Sequence, residues 1–299
     1  MPLHPDELPA DEGVVLSLLR EQRPDLADLP VTLGGGGTDN TVWRLGTDLV
    51  VRLPRTAEKV APLVKELTWL PRLAAHLSHP VPALVHTGRA TAAFPLPWAV
   101  MTWLEGEAPS SEGVTDWAGY GQDLARFVTS LHTADHAGAS PDDGLTWYRG
   151  GPLHPLRQQV EADLVGARSL LPDLDWALLG RRWQEAVDLP GPRGPVQWLH
   201  GDLRPANLLL SCGRLGAVLD FGSLSLGHPD VEHVVAWDLP VDGRRAYRAG
   251  LGVEDDTWCR ARGWAIALSV GGVCAYWSKL PSLAAESAAR LRAVMADDD

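Results

Sequence analysis

Residues 196–232 read VQWLHGDLRPANLLLSCGRLGAVLDFGSLSLGHPDVE. An apolar run over 196–199 stops at His200-Gly201-Asp202. Asn207 follows Asp202 by five residues, then come three leucines, a Cys212-Gly213 turn and a second apolar run that ends at Asp220-Phe221-Gly222. Short β-prone runs that end in polar loops are a rigid frame from which side chains reach a ligand. The side chains delivered here are two carboxylates and an amide, hard oxygen donors of the kind Mg²⁺ takes together with phosphate oxygens and water. Phosphoryl transfer draws little covalent help from a protein and depends on positioning a hydroxyl and neutralising phosphate charge. In that chemistry Asn207 and Asp220 are the expected metal ligands, and Asp202 orients the attacking hydroxyl and accepts its proton. The bland alternative is that the three residues only cap turns; their order and spacing behind apolar runs argue for the chemical role. His200, which opens the loop, reads as a hydrogen-bonding brace.

Working toward the N-terminus, 31–33, 41–45 and 49–53 are three β-prone runs. They are joined by a glycine-rich loop over 34–40 and a Gly46-Thr47-Asp48 turn, and predict an antiparallel meander. A short helix is expected before them over 13–22. From 58 to 77 the spacing turns helical, with Leu63, Leu67, Leu70, Ala74 and Leu77 at three- and four-residue steps. Glu66 falls on the apolar side of that helix, where a carboxylate is costly unless a cation or hydrogen-bond donors meet it. Strands are expected at 81–85 and 98–103, with helices over 117–132, 153–170, 174–188, 254–277 and 282–296. Residues 133–152 read as a Gly/Pro/Asp-rich loop. The glycines at 34–37 would let backbone approach phosphates closely, or would make an ordinary hairpin.

HGD with Asn five residues on, and DFG thirteen beyond that, resembles the aminoglycoside phosphotransferase family, the small-molecule branch of the protein-kinase-like fold that includes macrolide phosphotransferases. TDNTVWRLGTDLVVRLPR, KELTWLPRLAAHL, WAVMTWLEGE and GLGVEDDTWCRARGWAIALSVGG carry the likeness over about residues 30–280. The resemblance implies an α+β fold of two lobes: a small antiparallel-sheet N-terminal lobe (1–103) and a larger, mainly helical C-terminal lobe (104–299). It implies Asp202 as base, and Asn207 and Asp220 as Mg²⁺ ligands. It also implies Glu66 paired with a cation on the third strand and a hinge at Met101 to Leu104, with Thr102, Trp103 and Leu104 beside the nucleobase; of the glycine run, Gly35 and Gly36 are the candidates for phosphate contact. ATP or GTP would be the donor and a small hydroxyl compound, an aminoglycoside or a macrolide, the acceptor. Two other readings stay open: a metabolite kinase of choline, sugar or homoserine type, and a catalytically silent nucleotide-binding protein.

Two features depart from the family pattern. The third-strand cation is Arg52, not lysine; a guanidinium could bridge Glu66 and a phosphate or simply satisfy Glu66, with Lys59 as a substitute. After DFG the chain has Gly227-His228-Pro229 where the family often shows Gly-Asp-Pro. That stretch reads as a helix start whose dipole Asp230 and Glu232 complement.

Composition bounds the rest. With 299 residues, 45% hydrophobic and 21% charged, the chain can bury a core. Its formal charge of −12 speaks against a duplex nucleic-acid partner or an anionic membrane surface, and mildly for a cationic acceptor. Three cysteines are too few and too scattered for a disulfide framework or a zinc site. The acidic, proline-rich start shows no signal-peptide pattern, and a cytoplasmic location is expected. Of thirteen tryptophans, Trp198, Trp237, Trp264 and Trp277 fall in the half expected to hold the acceptor, each read as core before pocket.

Overall fold

The computed structural model describes residues 4–136 and 138–297. The chain forms two compact units, Met1–Gly106 with Ala217–Leu224, and Glu107–Gly216 with Ser225–Asp299.

In the first unit helix α1 (Glu12–Gln22), capped by the Asp11 side chain, precedes β1 (Val31–Gly36), β2 (Asn40–Leu45) and β3 (Leu49–Pro54). Helix α2 (Val60–Leu73) and strands β4 (Leu84–Gly88) and β5 (Trp98–Thr102) follow. The sheet order is β1-β2-β3-β5-β4, antiparallel throughout. The meander matches the sequence reading except at its glycines. β1 runs on through Gly35 and Gly36, which pair with Val42 and Thr41 after an irregularity between Leu33 and Gly35. The expected long helix is α2 flanked by single 3-10 turns at Ala57–Lys59 and Ala74–His76. Pro80 and Pro82 donate no backbone hydrogen bond, so β4 starts later than expected. Strand β3 is buried on both faces, and this positions its arginine. Val51 and Leu53 join Val15, Leu18, Leu19, Leu45, Phe94, Trp98 and Val100 in a fully buried cluster, while Arg52 points the other way toward α2.

The second unit is mainly helical. It contains α3 (Trp117–His132), N-capped by Asp116, α4 (Arg157–Leu170) and α5 (Trp176–Asp188). Strands β6 (Gln197–Leu199), β7 (Leu208–Ser211), β8 (Arg214–Val218) and β9 (Ser225–Gly227) follow, and β8 runs into the 217–224 segment of the first unit. Helices α6 (Val241–Leu251), α7 (Asp255–Tyr276) and α8 (Pro281–Met295) complete the unit. β7 pairs with β8, but β6 pairs with β9, so the strand that feeds the HGD loop is held by a strand absent from the sequence reading. Helix α6 is also absent from that reading, because its buried positions are Gly243, Arg244 and Tyr247 and no apolar stripe marks them. Trp198, Trp237 and Trp264 are fully buried, and Trp277 is exposed. Among the described residues no helix is long and apolar enough to cross a membrane.

The sequence reading assigned DFG to the C-terminal lobe, whereas Ala217–Leu224 belongs with the first unit. The physical reason lies in its contacts: Val218 N–H donates to Pro80 O at 3.0 Å, and Asp220 meets Arg52.

Candidate active site

In the first unit Arg52 reaches two carboxylates. Nη1 donates to Glu66 Oε1 at 2.7 Å and Nη2 to Asp220 Oδ1 at 3.2 Å. Glu66 has no exposed surface, so the cation its place on the apolar face required is Arg52. Lys59 does not substitute for it: its ammonium sits 2.7 Å from Asp39. Burial works against the Arg52 charge, but Glu66 and Asp220 outweigh it and raise the guanidinium pKa. Burial likewise raises the Glu66 carboxyl, with Arg52 pulling the other way and Asp220 adding to the rise. Asp220 itself stays 43% exposed and sits at φ 62°, ψ 74°. That left-handed conformation is tolerated by few residues other than glycine, and aspartate is one of them.

The expected hinge lies at the end of β5. Thr102 N–H donates to Ala83 O at 2.9 Å and Trp103 N–H to Asp48 O at 2.8 Å, so both donors are committed to the protein's own backbone. The Arg44 guanidinium covers the Trp103 ring at 4.8 Å. Leu104, the next residue, follows the last strand pairing.

In the second unit the HGD loop is held from several directions. Gly201 turns with φ 76°, a conformation that favours glycine. The buried His200 ring accepts the Asp202 N–H through Nδ1 at 3.3 Å, which is the brace expected of it. Asn207 Nδ2 donates to the Asp202 carbonyl at 2.9 Å and to Asp202 Oδ2 at 3.3 Å. Arg149 Nη1 donates to Asp202 Oδ1 at 2.6 Å and to the Gly201 carbonyl at 2.9 Å. Burial alone would raise the Asp202 carboxyl; the charge and hydrogen bond of Arg149 outweigh it, Arg204 and His200 add to the effect, and its pKa is lowered. Asp202 is therefore ionised at neutral pH and fit to accept a proton.

Glu232 lies beneath the same loop. It takes hydrogen bonds from the backbone of Gly201, at 3.3 Å, and of His200, yet burial pushes its carboxyl up to about 8. Asp230 and Glu232 do stand in the first turn of a helix, as expected. A 3-10 helix does begin at Pro229 and runs to Asp238, but both carboxylates are buried and specifically paired, Asp230 with Arg260 at 2.7 Å. Tertiary burial, not the helix end, decides their role.

The loop residue Arg149 went unread in the sequence. The signal that marks it is the run Trp147-Tyr148-Arg149-Gly150, two aromatics and a cation inside an otherwise small and polar stretch.

The donors fit a hard cation. Asn207 spends its amide nitrogen on Asp202 and keeps its carbonyl oxygen, and Asp220 gives Arg52 one carboxylate oxygen and keeps the other. Among the described residues no group of three His, Cys, Asp or Glu side chains stands together. Each of these oxygens, a carboxylate's in the first unit and an amide's in the second, is of the hard kind that Mg²⁺ takes.

A search of curated proteins finds no match. Among solved structures, aminoglycoside 2'-phosphotransferase-IIIa in its GDP complex is 22% identical. The similarity covers 97% of this chain and 100% of that one, with a TM-score of 0.73. The GDP and kanamycin complex of APH(2")-IIIa is 22% identical over 95% and 99% of the two chains, with a TM-score of 0.71. The macrolide 2'-phosphotransferase MphH of Brachybacterium faecium, as apoenzyme, is 22% identical over 97% and 100%, with a TM-score of 0.60. At these identities the likeness is one of fold. The family model described as "Phosphotransferase enzyme family" (APH) matches residues 31–264, a span that takes in β1, Arg52, Glu66, the HGD loop and DFG. On the strength of that match, the chain belongs to the phosphotransferase enzyme family.

Proposed function

We propose that this phosphotransferase moves the terminal phosphoryl group of ATP or GTP to a hydroxyl of a small molecule, with aminoglycoside and macrolide antibiotics as acceptors. The observation that carries the reading is the three-way contact of Arg52 with Glu66 and Asp220, which joins residues 168 positions apart. An arginine that merely satisfied Glu66 would not need the second carboxylate. Held between the two, the guanidinium is charged and fixed beside the DFG aspartate, as nucleotide phosphates require.

In this mechanism Asp202 orients the acceptor hydroxyl and takes its proton as the oxygen attacks phosphorus and the bond to the departing nucleoside diphosphate breaks. Asn207 and Asp220 would each offer an oxygen to Mg²⁺, which when bound would neutralise charge on the phosphates. Arg52 steadies the phosphates, with Glu66 fixing its direction. Leu104 offers its backbone to the nucleobase, since the N–H groups of Thr102 and Trp103 are taken and these two residues shape the hinge. Gly35 and Gly36, on the edge strand β1, give phosphates close access to backbone. Kanamycin and macrolides enter as acceptors because structurally similar proteins are named for them. A cytoplasmic location, where nucleoside triphosphates are at hand, goes with this reading.

The test is nucleotide turnover against a panel of aminoglycosides, macrolides, amino alcohols and sugars. Asp202→Ala should lower transfer by about 10²- to 10⁴-fold while Mg²⁺–nucleotide binding, read by calorimetry, holds. Retained turnover refutes the base. Transfer to a metabolite with none to any antibiotic would move the acceptor class, and absence of nucleotide binding would sink the enzymatic reading.

A further inference from the structure

Arg149 belongs to none of the motif residues. It sits in the 3-10 turn Tyr148–Gly150, yet its guanidinium makes several contacts. Nη1 serves both the Gly201 carbonyl and Asp202 Oδ1, Nε donates to Tyr148 Oη at 3.1 Å, and the plane lies 4.4 Å over the Trp147 ring.

The turn that carries it is strapped to the catalytic loop's own supports. Leu226 N–H donates to Leu145 O at 2.8 Å, and His228 N–H donates to Gly150 O at 2.9 Å. The backbones of Gly150 and Gly227 approach so closely that a Cβ on Gly227 would lie 2.5 Å from Gly150 Cα. These contacts bind the turn to β9. Strand β9 in turn pairs with β6, Leu199 opposite Ser225, and β6 leads directly into His200. The arginine and the loop it grips therefore hang from the same two strands.

The consequence is directional. Asp202 Oδ1 takes the short hydrogen bond of Arg149 at 2.6 Å, and Oδ2 takes the longer one of the Asn207 amide at 3.3 Å, so the carboxylate is held from both sides and Oδ2 is the less tightly engaged oxygen to offer a hydroxyl. We propose that Arg149 is a positioning residue for phosphotransfer, a guanidinium clamp that holds Asp202 Oδ1 and the Gly201 carbonyl so that Oδ2 meets the acceptor. The inference rests on Asp202 as the proton acceptor. Lying over the Trp147 ring while bonding three oxygens suits the planar, many-donor guanidinium, which a lysine ammonium does not reproduce.

The experiment is steady-state kinetics of the full chain with Arg149→Ala and Arg149→Lys, repeated in millimolar guanidinium. For Arg149→Ala, kcat should fall by about 10- to 100-fold, the scale of a misplaced reacting group. The nucleotide KM should stay within about twofold, because that binding is uniform across the step. Added guanidinium should restore part of kcat. Arg149→Lys should lie between the wild type and Arg149→Ala, and it carries the test alone if the alanine variant does not fold. Wild-type kcat in whichever variant folds overturns the proposal. A drop in kcat that guanidinium leaves untouched, accompanied by an equal loss of nucleotide binding, overturns it too, since it would mark a purely structural residue. Undiminished turnover in Asp202→Ala removes the base itself; loss in Asp202→Ala with normal Arg149→Ala rejects only the clamp.

Discussion

A glutamate with no exposed surface is the most demanding residue of the first unit. Desolvating a carboxylate costs free energy that only a well-placed partner returns, and Arg52 supplies it at 2.7 Å. Such a pair contributes little net stability against apolar replacements, but removing one member strands the other. Arg52→Ala should therefore cost about 3–5 kcal/mol in denaturant unfolding. The double variant Arg52→Met/Glu66→Leu should lie closer to wild type than the single variant. A loss in the double variant as large as in the single would show that the pair itself, and not the orphaned carboxylate, carries the energy. Asp220, exposed on its far side, remains hydrated in either case.

At the scale of elements, the HGD loop depends on the 3-10 helix Pro229–Asp238 beneath it, through Glu232. That carboxyl titrates at about 8 in the fold against an ordinary 4.5. The folded state thus keeps a proton that the unfolded chain releases earlier, and the stability this brings is complete below 4.5 and lost as pH climbs through about 8. Glu232→Gln keeps an acceptor for the Gly201 N–H but cannot ionise. Unfolding measured in parallel should show wild type losing ground to the variant steadily across that window. A wild-type-minus-variant difference that ignores pH would mean the carboxyl is not held neutral. Helix α6 and strand β9 teach the same lesson from the other side. Their buried positions are arginine, tyrosine, serine, glycine and a single leucine, Leu226, so no local apolar period announces them.

For the whole molecule, the expected ligand is a linkage probe. A species that binds only the folded state at about 100 times its Kd stabilises it by about 2.7 kcal/mol. Mg²⁺–nucleotide should raise the melting temperature accordingly, nucleotide with chelator should raise it less, and Asp220→Ala should erase the difference between the two. A shift independent of Mg²⁺ in the wild type would take Asp220 out of the metal site. Ion pairs such as Asp230–Arg260, Asp238–Arg290 and Arg149–Asp202 are each neutral, so the chain's −12 is carried by carboxylates in excess of its cations, and net charge alone says little about the acceptor.

Local patterns in the chain were enough to establish the antiparallel meander, the long helices, the HGD–Asn–DFG spacing and the need of Glu66 for a partner. Each of these follows from residue type and periodicity within a few turns or strands. Only the folded chain decided that Arg52 and not Lys59 answers Glu66, that residues 217–224 go with the first unit, and that Arg149 and Glu232 hold the HGD loop. These contacts join positions remote in sequence, 52 with 220 and 149 with 202. Such pairings are selected by how strands and helices pack, and local periodicity carries no record of them.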